Sequence, residues 1–337
     1  MPIRRRMLLL TTLTLAACAG GPPAPKPWAE TAAHELHLSL TSFELQGRRL
    51  TVTRSIGAGG PLPVVVYLPG IGQGSEAGQR WVAAWAQAGY AVLAVQPLED
   101  DAAAWRSALA RSGEFRELGE LHYGDALRGA RLAALRRLVA GLQANATVAG
   151  VALDWQHAAL AGYEIGAQTA LDLGADATGW LPQAVIAISP PPMDAAAATP
   201  PALLITSDTD GDALGLVTRP AERRRAFDTL HPGAGWLLSL PGVSHAALAG
   251  TLAPEGWHVQ DQHRGGDAMT GSRHGGGGGV GQGSHGPAGG APRGPRSGSA
   301  TEAAQVDLNE AMQLSAAFLD ARLRGGSMPA NPHLQAR

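Results

Sequence analysis

Hydrophobic and polar positions change period several times along the chain, and each change predicts an element. Leu36, Leu38 and Leu40 alternate with polar residues over 34–40, the pattern of a half-buried edge strand. Residues 49–53 read as its hairpin partner. Val64, Val65, Val66, Tyr67 and Leu68 form an unbroken apolar run, which predicts a strand buried on both faces. A helix is predicted over 79–88 and another buried strand over 90–95. After a connector, Leu127, Ala130, Leu135, Leu138 and Leu142 recur at near-helical spacing within a single predicted helix, 123–142. A short strand over 158–161 leads through a turn into a helix over 167–173. Strands follow at 183–188, 202–206 and 236–240. Strands alternating with helices predict an α/β fold with a mostly parallel sheet and helices on both faces.

The two ends and one long interior stretch do not fit this alternation. Arg4, Arg5 and Arg6 precede a short apolar segment ending Leu15-Ala16-Ala17-Cys18. That segment is too short to span a bilayer and reads as a signal peptide over 1–17. Its end resembles a bacterial lipobox, which implies cleavage before Cys18 and a diacylglycerol on its thiol. Residues 18–32, rich in proline and glycine, read as the anchored cysteine and its tether. A lipid chain anchors by burying methylenes, so membrane attachment through Cys18 is expected. Ala19 is not the aspartate of inner-membrane retention, which places the chain in the bacterial cell envelope, on the outer membrane facing the periplasm. The folded body is assigned to 33–258. Residues 259–300 carry Gly275 to Gly279, repeated Gly-Pro pairs and few large apolar side chains. Such composition cannot offset its ordering entropy and predicts a disordered insertion. Val306, Leu308, Met312, Leu314, Phe318 and Leu319 restore helical spacing, so 301–324 is the terminal helix of the same domain and 325–337 a flexible tail.

Composition excludes more than it identifies. A formal charge of -2 gives no footprint for nucleic acid. Cys18 is the only cysteine, so no intramolecular disulfide can form. His258, His263, His274 and His285 are spaced too irregularly for a metal site and read as solvated, as do Arg128, Arg131, Arg136 and Arg137 on their helix. No metal is expected.

The chemistry concentrates around Gly162-Tyr163-Glu164-Ile165-Gly166-Ala167. This has the form of a nucleophile elbow, Gly-x-Ser-x-Gly, with glutamate in the serine slot. Gly162 and Gly166 supply the close strand–helix approach that such a turn needs. An acid belongs after the strand 202–206, where Asp208, Asp210 and Asp212 all stand; Asp210 has the most suitable offset. His245 follows the last strand, where a base belongs. Pro69-Gly70-Ile71-Gly72 follows Leu68 as an oxyanion loop, with the N–H groups of Ile71 and Ile165 as donors. Ser75 and Ser244 are nearby hydroxyls without an elbow.

Taken together, these residues resemble the α/β-hydrolase superfamily, in particular its dienelactone hydrolase and platelet-activating-factor acetylhydrolase-like branches. The resemblance covers about 64–248 plus the final helix. It implies a three-layer α/β-hydrolase fold and cofactor-free ester or lactone hydrolysis of a small ester-like or apolar ligand. In those branches the oxyanion loop commonly reads His-Gly-x-Gly and the elbow Gly-His-Ser-x-Gly-Ala; here Pro69 and Glu164 depart from both. A carboxylate attacking an ester forms an anhydride, and the carboxylate then leaves more readily than the alkoxide. Ordinary acyl transfer through Glu164 is therefore disfavoured. Three outcomes stay open: a hydrolase using Glu164 on alkyl carbons or as a base for water, a pseudoenzyme binding a ligand or partner, and an envelope scaffold.

Overall fold

The computed structural model describes residues 35–175, 179–195, 199–251 and 297–337, with side chains described over the same ranges except at 175 and 297–306. The signal segment, Cys18, the tether, the residues 259–296 of the glycine-rich insertion and its four histidines lie outside the described residues.

Among the described residues, ten strands form one mostly parallel mixed sheet. They are β1 (Leu38–Leu45), β2 (Arg48–Ser55), β3 (Leu62–Leu68), β4 (Ala91–Val95), β5 (Thr147–Val148), β6 (Val151–Tyr163), β7 (Ala184–Ile188), β8 (Ala202–Ser207), β9 (Gly235–Leu240) and β10 (Leu334–Ala336). The spatial order is β1-β2-β4-β3-β6-β7-β8-β9-β10, with β5 pairing only to β6. The run from β4 through β3 and β6 to β9 is parallel; β1, β2 and β10 are antiparallel additions at the two edges. The helices are α1 (Gln79–Gln87), α2 (Glu99–Ala103), α3 (Ala108–Ser112), α4 (Phe115–Tyr123), α5 (Asp125–Gln143), α6 (Ile165–Ala175), α7 (Arg225–Thr229), α8 (His245–Leu248) and α9 (Ser297–Leu323).

Side chains of β3 show how the sheet splits the core. Val65 and Tyr67 point into one cluster with Trp81 and Trp85 of α1 and Phe318 and Leu319 of α9. Val64, Val66 and Leu68 point into the other, with Leu135 and Leu138 of α5 and Ala170 and Leu171 of α6. This is the two-residue strand period acting on a sheet covered on both sides. Each of these valines is fully buried, worth about 1.5–3 kcal/mol relative to exposure.

Several boundaries differ from the sequence pattern, each for a local reason. The hairpin lies later than 34–40 would place it, because Gln46 and Gly47 both adopt positive φ (53° and 72°) and make the two-residue turn between β1 and β2. The helix expected over 123–142 is α5, which starts at Asp125 because Gly124 takes an extended conformation and separates it from α4. The connector before it is also helical, containing α2, a 3-10 turn (Ala104–Arg106) and α3. The strand expected over 158–161 runs for 13 residues. Its first two residues, Val151 and Ala152, pair with β5, and its register against β3 shifts between Pro63 and Val64. The segment 325–337, expected as a flexible tail, instead ends in β10, which pairs with Trp236, Leu237 and Leu238 of β9. Among the described residues no helix is long and apolar enough to cross a membrane.

Candidate active site

Glu164, Asp210 and His245 follow the carboxyl ends of the parallel strands β6, β8 and β9. Glu164 occupies the turn between β6 and α6 at φ 51°. A non-glycine residue in this left-handed region costs on the order of 1–3 kcal/mol and persists only where its surroundings enforce it. Here the Glu164 N–H donates to Ile188 O at 3.1 Å, and its carbonyl accepts the Gln168 N–H at 3.0 Å. The flanking glycines explain the tight turn. A Cβ on Gly162 would fall on the backbone of Gly166, and one on Gly166 would fall on the carbonyl of Leu68. Gly70 faces side chains instead, since a Cβ there would fall on the Glu164 carboxylate and the Tyr163 ring.

The Glu164 side chain makes two contacts in opposite directions. Oε1 lies 2.5 Å from His245 Nε2, and Oε2 accepts the Ile71 N–H at 3.1 Å. Glu164 is 7% exposed. Ile165, the other expected donor, makes no hydrogen bond to the carboxylate among the described residues. Its side chain joins Ile71, Ala104, Leu118 and Leu214 in a small apolar cluster beside the site.

His245 begins α8, where the Ser244 hydroxyl accepts the Ala247 N–H as a helix cap. Ser244 is thus committed to the helix end. His245 Nδ1 lies 2.7 Å from Asp210 Oδ1. Of the three aspartates left open by the sequence, Asp210 is therefore the one brought to the histidine. Asp208 accepts the Gly242 N–H, and Asp212 accepts the N–H groups of Leu216 and Val217. Tyr163 adds a third contact: its phenol donates to His245 O at 2.9 Å and its ring centroid lies 5.3 Å from the imidazole. Burial, with the Glu164 and Asp210 carboxylates nearby, pushes that phenol well above its ordinary pKa, so it remains a donor.

Two further residues complete the arrangement, and no motif in the sequence pointed to either. Ser189 follows β7 at φ 53° and is fully buried. Its hydroxyl donates to Asp210 Oδ1 at 2.6 Å and lies 2.9 Å from His245 Nδ1. Arg223, 1% exposed, donates to the carbonyls of Asp210, Ser189 and Pro190 at 2.7, 2.8 and 3.0 Å. Its Nε lies 3.2 Å from Asp210 Oδ1. Thr206 donates to the second Asp210 oxygen at 2.7 Å. The available signal for Ser189 was a polar residue directly ending an apolar strand; for Arg223 there was none.

This surrounding fixes the charge of the histidine. Burial alone would lower its pKa, but the Asp210 and Glu164 hydrogen bonds and the Glu164 charge outweigh both that and the opposing Arg223 charge. The result is a pKa pushed up to about 9. At neutral pH His245 carries its proton on both nitrogens, with a carboxylate on each. An imidazolium so held cannot take a proton from a water or an alcohol. Two surface clefts lie elsewhere, one of about 280 Å³ lined by Arg48, Leu98, Glu99 and Arg137, and another beside Ser75, Glu76 and Gln96.

One arginine read as solvated proves otherwise. Arg131 is 1% exposed, and its Nε donates to Asp101 Oδ2 at 2.6 Å. Asp101 is fully buried and also pairs with His122 Nδ1 at 2.7 Å. Helical spacing alone could not place Arg131 inward, because its partner Asp101 is supplied by α2, distant in sequence. Arg128 instead pairs with Asp172 of α6.

Among the described residues no group of histidine, cysteine, aspartate and glutamate could hold a metal ion. Comparison with protein-family models gives no match. Comparison with curated protein sequences gives none either.

Proposed function

We propose that this chain is an envelope lipoprotein of α/β-hydrolase fold whose triad-like site has lost acyl transfer and acts as a pseudoenzyme. The strand order β1-β2-β4-β3-β6-β7-β8-β9, in which β2 is antiparallel to both its neighbours and the run from β4 to β9 is parallel, supports the fold assignment. So does the chain order Glu164, Asp210, His245 at the strand ends. The lipobox-like ending at Cys18 supports lipid anchoring at the outer membrane, and the resemblance of the residues around Glu164 to a hydrolase elbow favours a small ester-like or apolar ligand.

One observation carries the loss of activity. The Glu164 carboxylate occupies both the nucleophile slot and the Ile71 N–H, the donor that an ester oxyanion would need. An incoming carbonyl therefore finds its stabilising hydrogen bond already taken and its base protonated. Losing one such donor costs on the order of 10²–10³ in rate even with a competent nucleophile. A fluorophosphonate ester, which labels an activated serine, tests this reading. The parent should remain unlabelled by intact mass, while Glu164→Ser should gain one adduct that His245→Ala prevents. Labelling of the parent would overturn it.

A second reading is favoured by the same Oε2 contact. In a carboxylate nucleophile acting on an alkyl carbon, one oxygen attacks while the other is held by a backbone donor. Oε1 would then have to leave His245 to attack. Incubation with a small epoxide separates the readings: a stable or turned-over adduct at Glu164 supports alkyl transfer, and none supports the pseudoenzyme.

A further inference from the structure

The direction of the Ile71 N–H depends on two peptide planes, one on each side of Ile71, because each peptide unit is rigid and only φ and ψ of the residue can turn it. Both planes are held. In the plane before Ile71, the Gly70 carbonyl accepts Gln96 Nε2 at 3.1 Å and the Ile71 N–H meets Glu164. In the plane after it, the Ile71 carbonyl accepts the indole N–H of Trp105 at 3.2 Å, and the Gly72 N–H donates to Asp101 O at 2.7 Å. Gly70 N–H adds a bond to Gln73 Oε1 at 3.0 Å.

Trp105 also fixes the loop by contact. Gly72 sits at φ 71°, and a Cβ there would fall inside the Trp105 ring. Trp105 is 40% exposed, yet its N–H and the Cδ1–Nε1 side of its ring are both engaged by 71–72. Phe115 braces the ring edge-on at 6.0 Å between centroids. Asp101, four residues earlier, is locked by Arg131 and His122, so the buried cluster described above holds the other half of this plane.

We propose that Trp105 is a positioning residue that aims the Ile71 N–H into the site, with the Asp101 carbonyl as its partner across the same peptide plane. The proposal rests on the reading of Ile71 as an oxyanion donor. It explains why an exposed tryptophan in the connector after β4 is tied to the loop after β3. Three of the four bonds on these two planes come from Gln96, Trp105 and Asp101, outside the elbow, and do not involve the side chain at 164.

Amide hydrogen exchange of the full folded body tests it. Trp105→Phe keeps a smaller ring beside Gly72 and removes the N–H; Trp105→Ala removes both ring and N–H. Exchange at the Ile71 N–H should accelerate on the order of 5–10-fold in Trp105→Phe, the loss of about one hydrogen bond, and further in Trp105→Ala. The amides of Val66 and Leu93 in the core should keep the parent rate. Unchanged exchange at Ile71, or equal acceleration at the core amides, overturns the proposal. In a Glu164→Ser background, Trp105→Phe should also lower kcat for a nitrophenyl ester with KM unchanged. If Glu164→Ser has no esterase activity, the reading of Ile71 as oxyanion donor fails, while the exchange result still decides what Trp105 holds.

Discussion

Glu164 Oε1 lies 2.5 Å from His245 Nε2, while Asp210 Oδ1 holds the other ring nitrogen at 2.7 Å. A histidine between two carboxylates is stabilised as a cation, and this has a measurable cost at high pH. The folded-state pKa of about 9 lies above the ordinary 6.5. The pair therefore contributes fully below pH 6.5, and its contribution is lost as pH rises through 9. A rise of that size is on the order of 3 kcal/mol. Urea unfolding of the parent between pH 6 and 9.5 should show stability falling across that window. His245→Gln, which has no titrating ring, should lack that fall, and Glu164→Gln should show a smaller one. A parent curve parallel to that of His245→Gln would remove the imidazolium from the account.

The elbow makes a contrasting pair of glycine predictions. Gly166→Ala places a methyl on the Leu68 carbonyl, a backbone atom that cannot move without disturbing β3. Overpacking of this kind costs about 1–3 kcal/mol or more. Gly129 lies within α5 with open space around it. Gly129→Ala should instead stabilise by about 0.5–1 kcal/mol through helix propensity. Chemical denaturation of the two variants beside the parent should move the midpoints in opposite directions.

Burial separates two arginines that look alike in the sequence. Removing the charge in Arg131→Met strands Asp101 inside the protein and should cost about 3–5 kcal/mol. Arg116 pairs with Glu120 across one turn of α4 at 3.7 Å, with both side chains over half exposed. Arg116→Met should change stability by less than about 1 kcal/mol. Thermal melts of both variants check the difference.

Much of the sheet was legible because its inner strands are short apolar runs separated by glycine and proline. The elbow was legible because Gly162 and Gly166 are demanded by backbone crowding, whatever the central residue is. His245 could be placed from its distance beyond β9, whereas Asp210 needed structure to separate it from Asp208 and Asp212. Ser189 and Arg223 were hidden for a different reason. Their roles come from long-range convergence of β7 and the turn Pro220–Arg224 on Asp210, and neither carries a local pattern. The final strand was hidden because three residues after Asn331 and Pro332 cannot show an alternation; their pairing with β9 supplies what local pattern does not.

The most direct test of the central claim is initial-rate hydrolysis of p-nitrophenyl acetate by the parent, Glu164→Ser, and Glu164→Ser combined with His245→Ala. The parent should show no turnover above buffer. Glu164→Ser should show activity that the histidine replacement removes. Turnover by the parent that Glu164→Gln abolishes, with an acyl group trapped on residue 164, would contradict the account.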